Sequence, residues 1–139
     1  VSNLQNSKSI QSIDLPIMST TGQSGLLLEN TLMQTIQQLQ DIATEASKGV
    51  KVLYDTECKL ADAENKAERA LQLAFIEAQG TVADRTAISR LEAADARLEA
   101  DLAKAEYNRV KTKLKQLELA QMSLQTQARL IETELKTLR

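Results

Sequence analysis

From Leu26 to Arg139 the chain contains no proline, and apolar residues return every three or four positions. That period marks a helix that lays one stripe along another helix. Leu32, Ile36, Leu39, Ala43, Ala46, Val50 and Leu53 step alternately by four and three. Leu60, Ala63, Ala67, Ala70, Leu71, Ala74 and Phe75 continue a thinner, alanine-rich stripe, which suits close backbone approach. Gly49 inside the first stripe costs about 1 kcal/mol against Ala and marks a place where helices come near. Val110, Leu114, Leu117, Gln121, Leu124, Ala128, Ile131, Leu135 and Leu138 keep the same step. Upstream, Ile88, Leu91, Leu98 and Leu102 predict a seam with Asp95 in one slot. Joining the two seams through Glu106 requires a stutter. Gln121 on a seam reads as a register- or oligomer-fixing residue, or else as a solvated Gln at a loosely packed end.

Between the two halves lies "FIEAQGTVADRTA", Phe75 to Ala87. Gly80 suits the left-handed position that ends a helix. Thr81 suits the next helix's N-cap, with Asp84 three residues on to complete a capping box. Stop and start signals are adjacent, and the arms on either side are nearly equal, each roughly 80 Å at 1.5 Å per residue. The expected fold is therefore all-α: a long antiparallel helical hairpin, coiled-coil-like, turning near residues 80–81. With the turn there, Tyr54 and Tyr107 fall at one height on opposite arms and serve as register markers. Leu27, Leu28, Met33, Leu71, Phe75, Leu119 and Met122 exceed what one seam can cover, so hairpins are expected to oligomerise through helix packing.

The domain reading is a flexible N-terminal arm over 1–24, rich in Ser, Asn, Gln and Thr, followed by the hairpin over 25–139. Within the arm, "SIDLPIM" gathers Ile13, Leu15, Ile17 and Met18 around Pro16, as a loose tail or as an extended docking peptide. The chain is 42% hydrophobic but only 2% aromatic, so the core should be narrow and aliphatic. With no His and a single Cys, Cys58, no zinc site, Cys–His nucleophile or internal disulfide is expected, and no cofactor. Cys58 reads as a small core residue. No apolar run is long enough to span a bilayer, and no signal peptide is expected, which makes the cytoplasm the default. No phosphate-binding, dinucleotide or nucleophile-elbow motif occurs, and a straight hairpin offers no deep pocket, so no enzyme is expected.

Net charge is −2, but its distribution is uneven. Tyr107–Ile131 holds Arg109, Lys111, Lys113, Lys115 and Arg129 against the single acid Glu118. Lys111 and Lys115 share one helical row, and Arg109 and Lys113 form the next. Such a run is either an ordinary solvated face or, repeated around an oligomer, a basic belt for nucleic-acid phosphates. Two tyrosines make a poor stacking platform, so base-specific readout is not expected.

The block "KAERALQLAFIEAQGTVADRTA…LEADLAKAEYNRVKTKLKQLE…QTQARLIETEL" resembles small bacteriophage helical-hairpin proteins over roughly residues 66–139. More distantly, its order of features resembles the UvsY recombination mediator family. That resemblance implies an oligomer that binds single-stranded DNA and helps load a recombinase, working in the cytoplasm of an infected cell. It points to Arg85, Arg109, Lys111, Lys113, Lys115 and Arg129 as DNA contacts. The aromatic residues common in the relatives' last helix are replaced here by Leu and Gln around "AQMSLQTQ". The alternative function is a structural or inhibitory coiled coil that grips a protein partner, such as a host nuclease, a defence factor or a virion component, without nucleic acid.

Overall fold

The computed structural model describes residues 21–138. Residues 1–20 of the expected arm, with the segment around Pro16, and Arg139 lie outside the described residues. Among the described residues all regular structure is helical: α1 (Thr21–Glu77), α2 (Val82–Glu92) and α3 (Ala94–Leu138). The boundary expected at residues 24/25 moves, because α1 already includes Thr21–Ser24. Gln is a good helix former and one Gly costs only about 1 kcal/mol, so a polar composition did not stop the helix there.

The junction after α1 is built from local chemistry. The Ala78 N–H still donates to the Ala74 carbonyl at 3.0 Å, and Gly80 then adopts φ +113°. Thr81 caps α2 in an extended conformation. The Asp84 N–H donates to Thr81 Oγ1 at 3.2 Å, and the Thr81 N–H donates to Asp84 Oδ2 at 3.3 Å. Two otherwise orphaned donors are thus satisfied. Arg85 adds a longer-range clasp: its Nε and Nη2 donate to the Phe75 carbonyl at 3.2 and 2.9 Å. Its guanidinium also lies 4.4 Å from the Phe75 ring centroid.

Between α2 and α3 only Ala93 departs from helical angles, at φ −86° and ψ 1°. The Ala93 N–H donates to the Ser89 carbonyl at 3.0 Å, and the Arg97 N–H donates to the Ala93 carbonyl at 2.9 Å. Helical bonding therefore passes both sides of the irregularity, and the heptad phase survives it. Ser89, Ala93, Ala96, Ala100, Ala103, Tyr107, Val110, Leu114 and Leu117 are all buried or half-buried, in uninterrupted steps of four and three. The stutter expected at Glu106 is absent, because the inner row is not the leucine row.

The chain divides into two compact units. In the first, α1 up to Asp41 is joined with α3 from Gln121. Its covered residues include Leu28, Leu32, Thr35 and Leu39 on α1, and Gln121, Leu124, Ala128, Ile131 and Leu135 on α3. A methyl placed on Gly25 would stand 3.9 Å from Leu138, an ordinary contact. The second unit is Ile42–Ala120. Its α1 row comprises Ile42, Ala46, Gly49, Leu53, Thr56, Leu60, Ala63, Ala67, Ala70 and Ala74. Two ion pairs join its helices: Lys113 with Glu45 at 3.5 Å and Lys59 with Glu106 at 3.4 Å. As residue numbers rise along α1, their partners' numbers fall along α3.

Both expected seams are corrected in part. On α1, Leu32, Leu39, Ala46 and Leu53 lie on the inner row, but Thr35, Ile42 and Gly49 occupy the places assigned to Ile36, Ala43 and Val50. On α2 and α3, Leu91, Leu98 and Leu102 are 78%, 57% and 62% exposed, while Ala93, Ala100 and Ala103 are buried. Asp95 is likewise exposed. The inner polar residues are tolerated because each hydroxyl finds an acceptor in its own helix. Thr35 donates to the Thr31 carbonyl at 2.8 Å, Thr56 to Leu53 at 2.9 Å and Ser89 to Thr86 at 2.9 Å. No buried side-chain polar atom among the described residues is left without a partner.

Candidate functional site

The basic run of α3 starts as sequence and ends as geometry. At about 100° per residue, Lys111 and Lys115 project to one flank of the inner row and Arg109 and Lys113 to the other. All four are exposed. Lys113 is engaged by Glu45, and the Lys111 Nζ lies 5.4 Å from the Tyr107 ring centroid. Arg109 and Lys115 form no ion pair among the described residues. Arg129 is exposed but belongs to the other compact unit. Arg85 is half-buried, with its guanidinium committed to the Phe75 carbonyl and ring. Of the six cations singled out from sequence, then, Lys113 is paired across helices and Arg85 serves as a clasp.

The two tyrosines expected as register markers differ in exposure. Tyr107 is half-buried on the inner row, whereas Tyr54 is 66% exposed and off it. Tyr54 instead lies beside Cys58, whose side chain holds its phenol above the ordinary value, with desolvation and the Asp55 and Glu57 carboxylates acting in the same direction. Cys58 is exposed, contrary to the core position expected for it. A lone Cys is a small apolar residue by base rate, but here the heptad phase puts it on the outer side.

A shallow groove of ≈ 390 Å³ opens beside Gly49, where the missing side chain leaves room for Leu114. A methyl on Gly49 would come within 2.5 Å of Leu114 Cδ2. Lys48, Arg109 and Lys113 line this groove together with Glu45 and Glu106. Both acids are already paired, Glu45 to Lys113 and Glu106 to Lys59.

A further charge pattern lies at heptad spacing rather than in local runs. Arg90, Arg97, Lys104 and Lys111 recur every seven residues along one flank of α2 and α3, and Glu92, Glu99 and Glu106 recur along the other. On α1, Glu57 and Glu64 keep the same spacing, as do Lys59 and Lys66. Lys59 meets Glu106, and Glu64 lines one groove with Arg97 and Lys104. Reading charges at heptad intervals, rather than as clusters, would have found these rows.

The apolar outside is equally informative. Among the described residues the fully buried hydrophobics are all alanine: Ala67, Ala74, Ala93, Ala100 and Ala103. Large aliphatics such as Leu73, Ile76, Leu91, Leu98 and Leu102 are more than half exposed. Burying a leucine is worth about 1.5–3 kcal/mol, so this surface is a larger reservoir of binding energy than the alanine seam. No helix among the described residues is long and apolar enough to cross a membrane, and none of their acids and Cys58 gather into a group of three that could hold a metal ion. No family model, curated protein or solved structure matches the chain.

Proposed function

We propose that this chain is a non-catalytic structural coiled-coil protein that works by packing helices onto its outer faces, forming homo-oligomers. In this reading α1 folds back against α2 and α3 as an antiparallel hairpin. The reversed order of the Glu45–Lys113 and Lys59–Glu106 pairs supports that arrangement, as do the matching charge rows, since antiparallel coiled coils pair like-placed flanking positions. The observation that carries the function is the inverted stretch beside the junction, with Ala93, Ala100 and Ala103 buried and Leu91, Leu98 and Leu102 exposed. A two-helix protein that left such rows in water would be poorly stabilised. Light scattering on the full chain tests this. The expected mass is a multiple of 15.3 kDa, and a monomer at micromolar concentrations would contradict it.

A second reading, single-stranded-DNA binding of the recombination-mediator kind, is favoured by one specific feature. Among the described residues Lys48, Arg109, Lys111 and Lys115 form no ion pair, and the first two share the groove beside Gly49. Anisotropy titration of a labelled oligonucleotide at low salt tests it. Binding should weaken steeply with salt and collapse when Arg109, Lys111 and Lys115 become Ala. No binding at low salt removes this reading.

A further inference from the structure

The junction between α1 and α2 diverts backbone groups that an unbroken helix would bond to itself. In such a helix the Phe75 carbonyl takes the Gln79 N–H, the Thr81 N–H donates to the Glu77 carbonyl and the Asp84 N–H donates to the Gly80 carbonyl. Here three side chains take those places. Arg85 donates twice to the Phe75 carbonyl, from Nε at 3.2 Å and from Nη2 at 2.9 Å. The Thr81 N–H donates to Asp84 Oδ2, and the Asp84 N–H donates to Thr81 Oγ1. Gly80 adds a φ of +113°, the one positive value among the described residues. The inner rows on the two sides nevertheless remain in phase. Ala78 and Arg85 are both half-buried, and they stand seven residues apart, which is one heptad. Before them come Ala67, Ala70 and Ala74, and after them Ser89 and Ala93. A helix continued through residues 78–85 would carry both rows along one stripe.

We infer that Gly80, Thr81, Asp84 and Arg85 form a conformational selector. They hold the chain as a closed hairpin, and without them it straightens and exchanges arms with a second copy. The occupant of the open state is a second copy because this chain's own α2 and α3 carry the row that α1 packs against. Every contact between the arms, including the Lys59–Glu106 and Glu45–Lys113 pairs, can form between two chains as it forms within one. What differs between the two states is the junction. Arg85 is its central positioning residue. It occupies the carbonyl that helix continuation needs, so the clasp and the straight helix exclude one another. Its guanidinium also gives up the Phe75 ring, 4.4 Å from its carbon, when the helix continues. The inference rests on the hairpin reading and adds a second kind of contact to it, since exchange of arms uses the inner rows and packing of hairpins uses the outer ones.

The test measures one intramolecular distance in the full chain, between spin labels at Cys58 and at Ala105→Cys, both exposed positions. Labelled chains are unfolded and refolded together with an excess of unlabelled ones. A closed hairpin gives roughly 20–30 Å, whereas a straight chain paired with an unlabelled copy gives about 70 Å. The native junction should give the short distance alone. Gly80→Ala, Thr81→Ala, Asp84→Ala and Arg85→Ala together should move it to the long one, with the helical circular dichroism retained. Arg85→Ala by itself should give both distances, the long fraction rising with protein concentration. A quadruple variant that keeps the short distance overturns the proposal. So does one that loses its helices, because its arms have then failed to pair between chains. A short distance at every concentration in Arg85→Ala overturns the role of the clasp. A native junction that already gives the long distance would contradict the hairpin reading itself.

Discussion

Two stretches of the second compact unit treat the same heptad in opposite ways. Beside the junction, from Ser89 to Ala103, the inner row is serine and alanine and the leucines face out. From Val110 to Leu117 the inner row is Val110, Leu114 and Leu117, and the outside is Arg109, Lys111, Lys113 and Lys115. The first stretch lets its helices come close but gains little burial from doing so, since a methyl group contributes far less than an isobutyl group. The second gains its burial inside and has only charge to offer outside. One helix can therefore have a self-sufficient segment and a segment that lacks a partner, with no change in periodicity to announce the switch.

The comparison breaks most readily at paired leucines. Leu114→Ala should lower stability in denaturant unfolding by about 2 kcal/mol, the lower end for a core leucine, because it is half-buried. Leu98→Ala should change it by less than about 0.5 kcal/mol in chains diluted below assembly. Equal losses would mean that Leu98 is covered in solution. Overpacking sharpens the contrast from the other side. Ala100 is only 3% exposed, so Ala100→Leu should cost about 1–3 kcal/mol, whereas Ala105→Leu on the exposed side should be nearly silent.

Smaller effects are expected at the junction. Gly80→Ala forces a side chain into φ +113° and should cost about 1–2 kcal/mol, visible as a lower melting temperature. A neutral result would mean that the junction readily takes another conformation. The smallest effect belongs to the ion pair of the basic stretch. Both Glu45 and Lys113 are more than half exposed, so Glu45→Gln should cost less than about 0.5 kcal/mol and vanish at high salt.

What could be read from the sequence was what is local. Gly80, Thr81 and Asp84 act over four residues, and their chemistry is written in those four. The row from Val110 to Leu135 is equally legible because most of its side chains are large and apolar and keep an unbroken step of four and three. Near the junction the same rule misleads: Ile88, Leu91, Leu98 and Leu102 step correctly but form the outer row, and alanines one or two places away form the inner one. On α1 the apolar step favours Ile36 over Thr35 and Val50 over Gly49, although Gly49 is read as a place of close approach. A threonine that donates to its own helix is at ease in a seam, and a glycine can be the recess for Leu114. Arg85 could not be read as a clasp, because its acceptor lies ten residues back and meets it only once the chain has turned. The split of Arg109–Lys115 across two flanks follows from helical phase, which is known only when the inner row is known.

The central claim is that the chain folds back at Gly80, and its single natural cysteine offers the direct measurement. Cys58 is exposed, so a spin label there and a second at Ala105→Cys give one intramolecular distance by pulsed electron resonance, with labelled chains diluted in unlabelled ones. Fold-back brings the two sites to adjacent helices whose axes are about 8–10 Å apart, which predicts a label separation of roughly 20–30 Å. A separation near 70 Å, the length of an uninterrupted helix between those residues at 1.5 Å each, would contradict it.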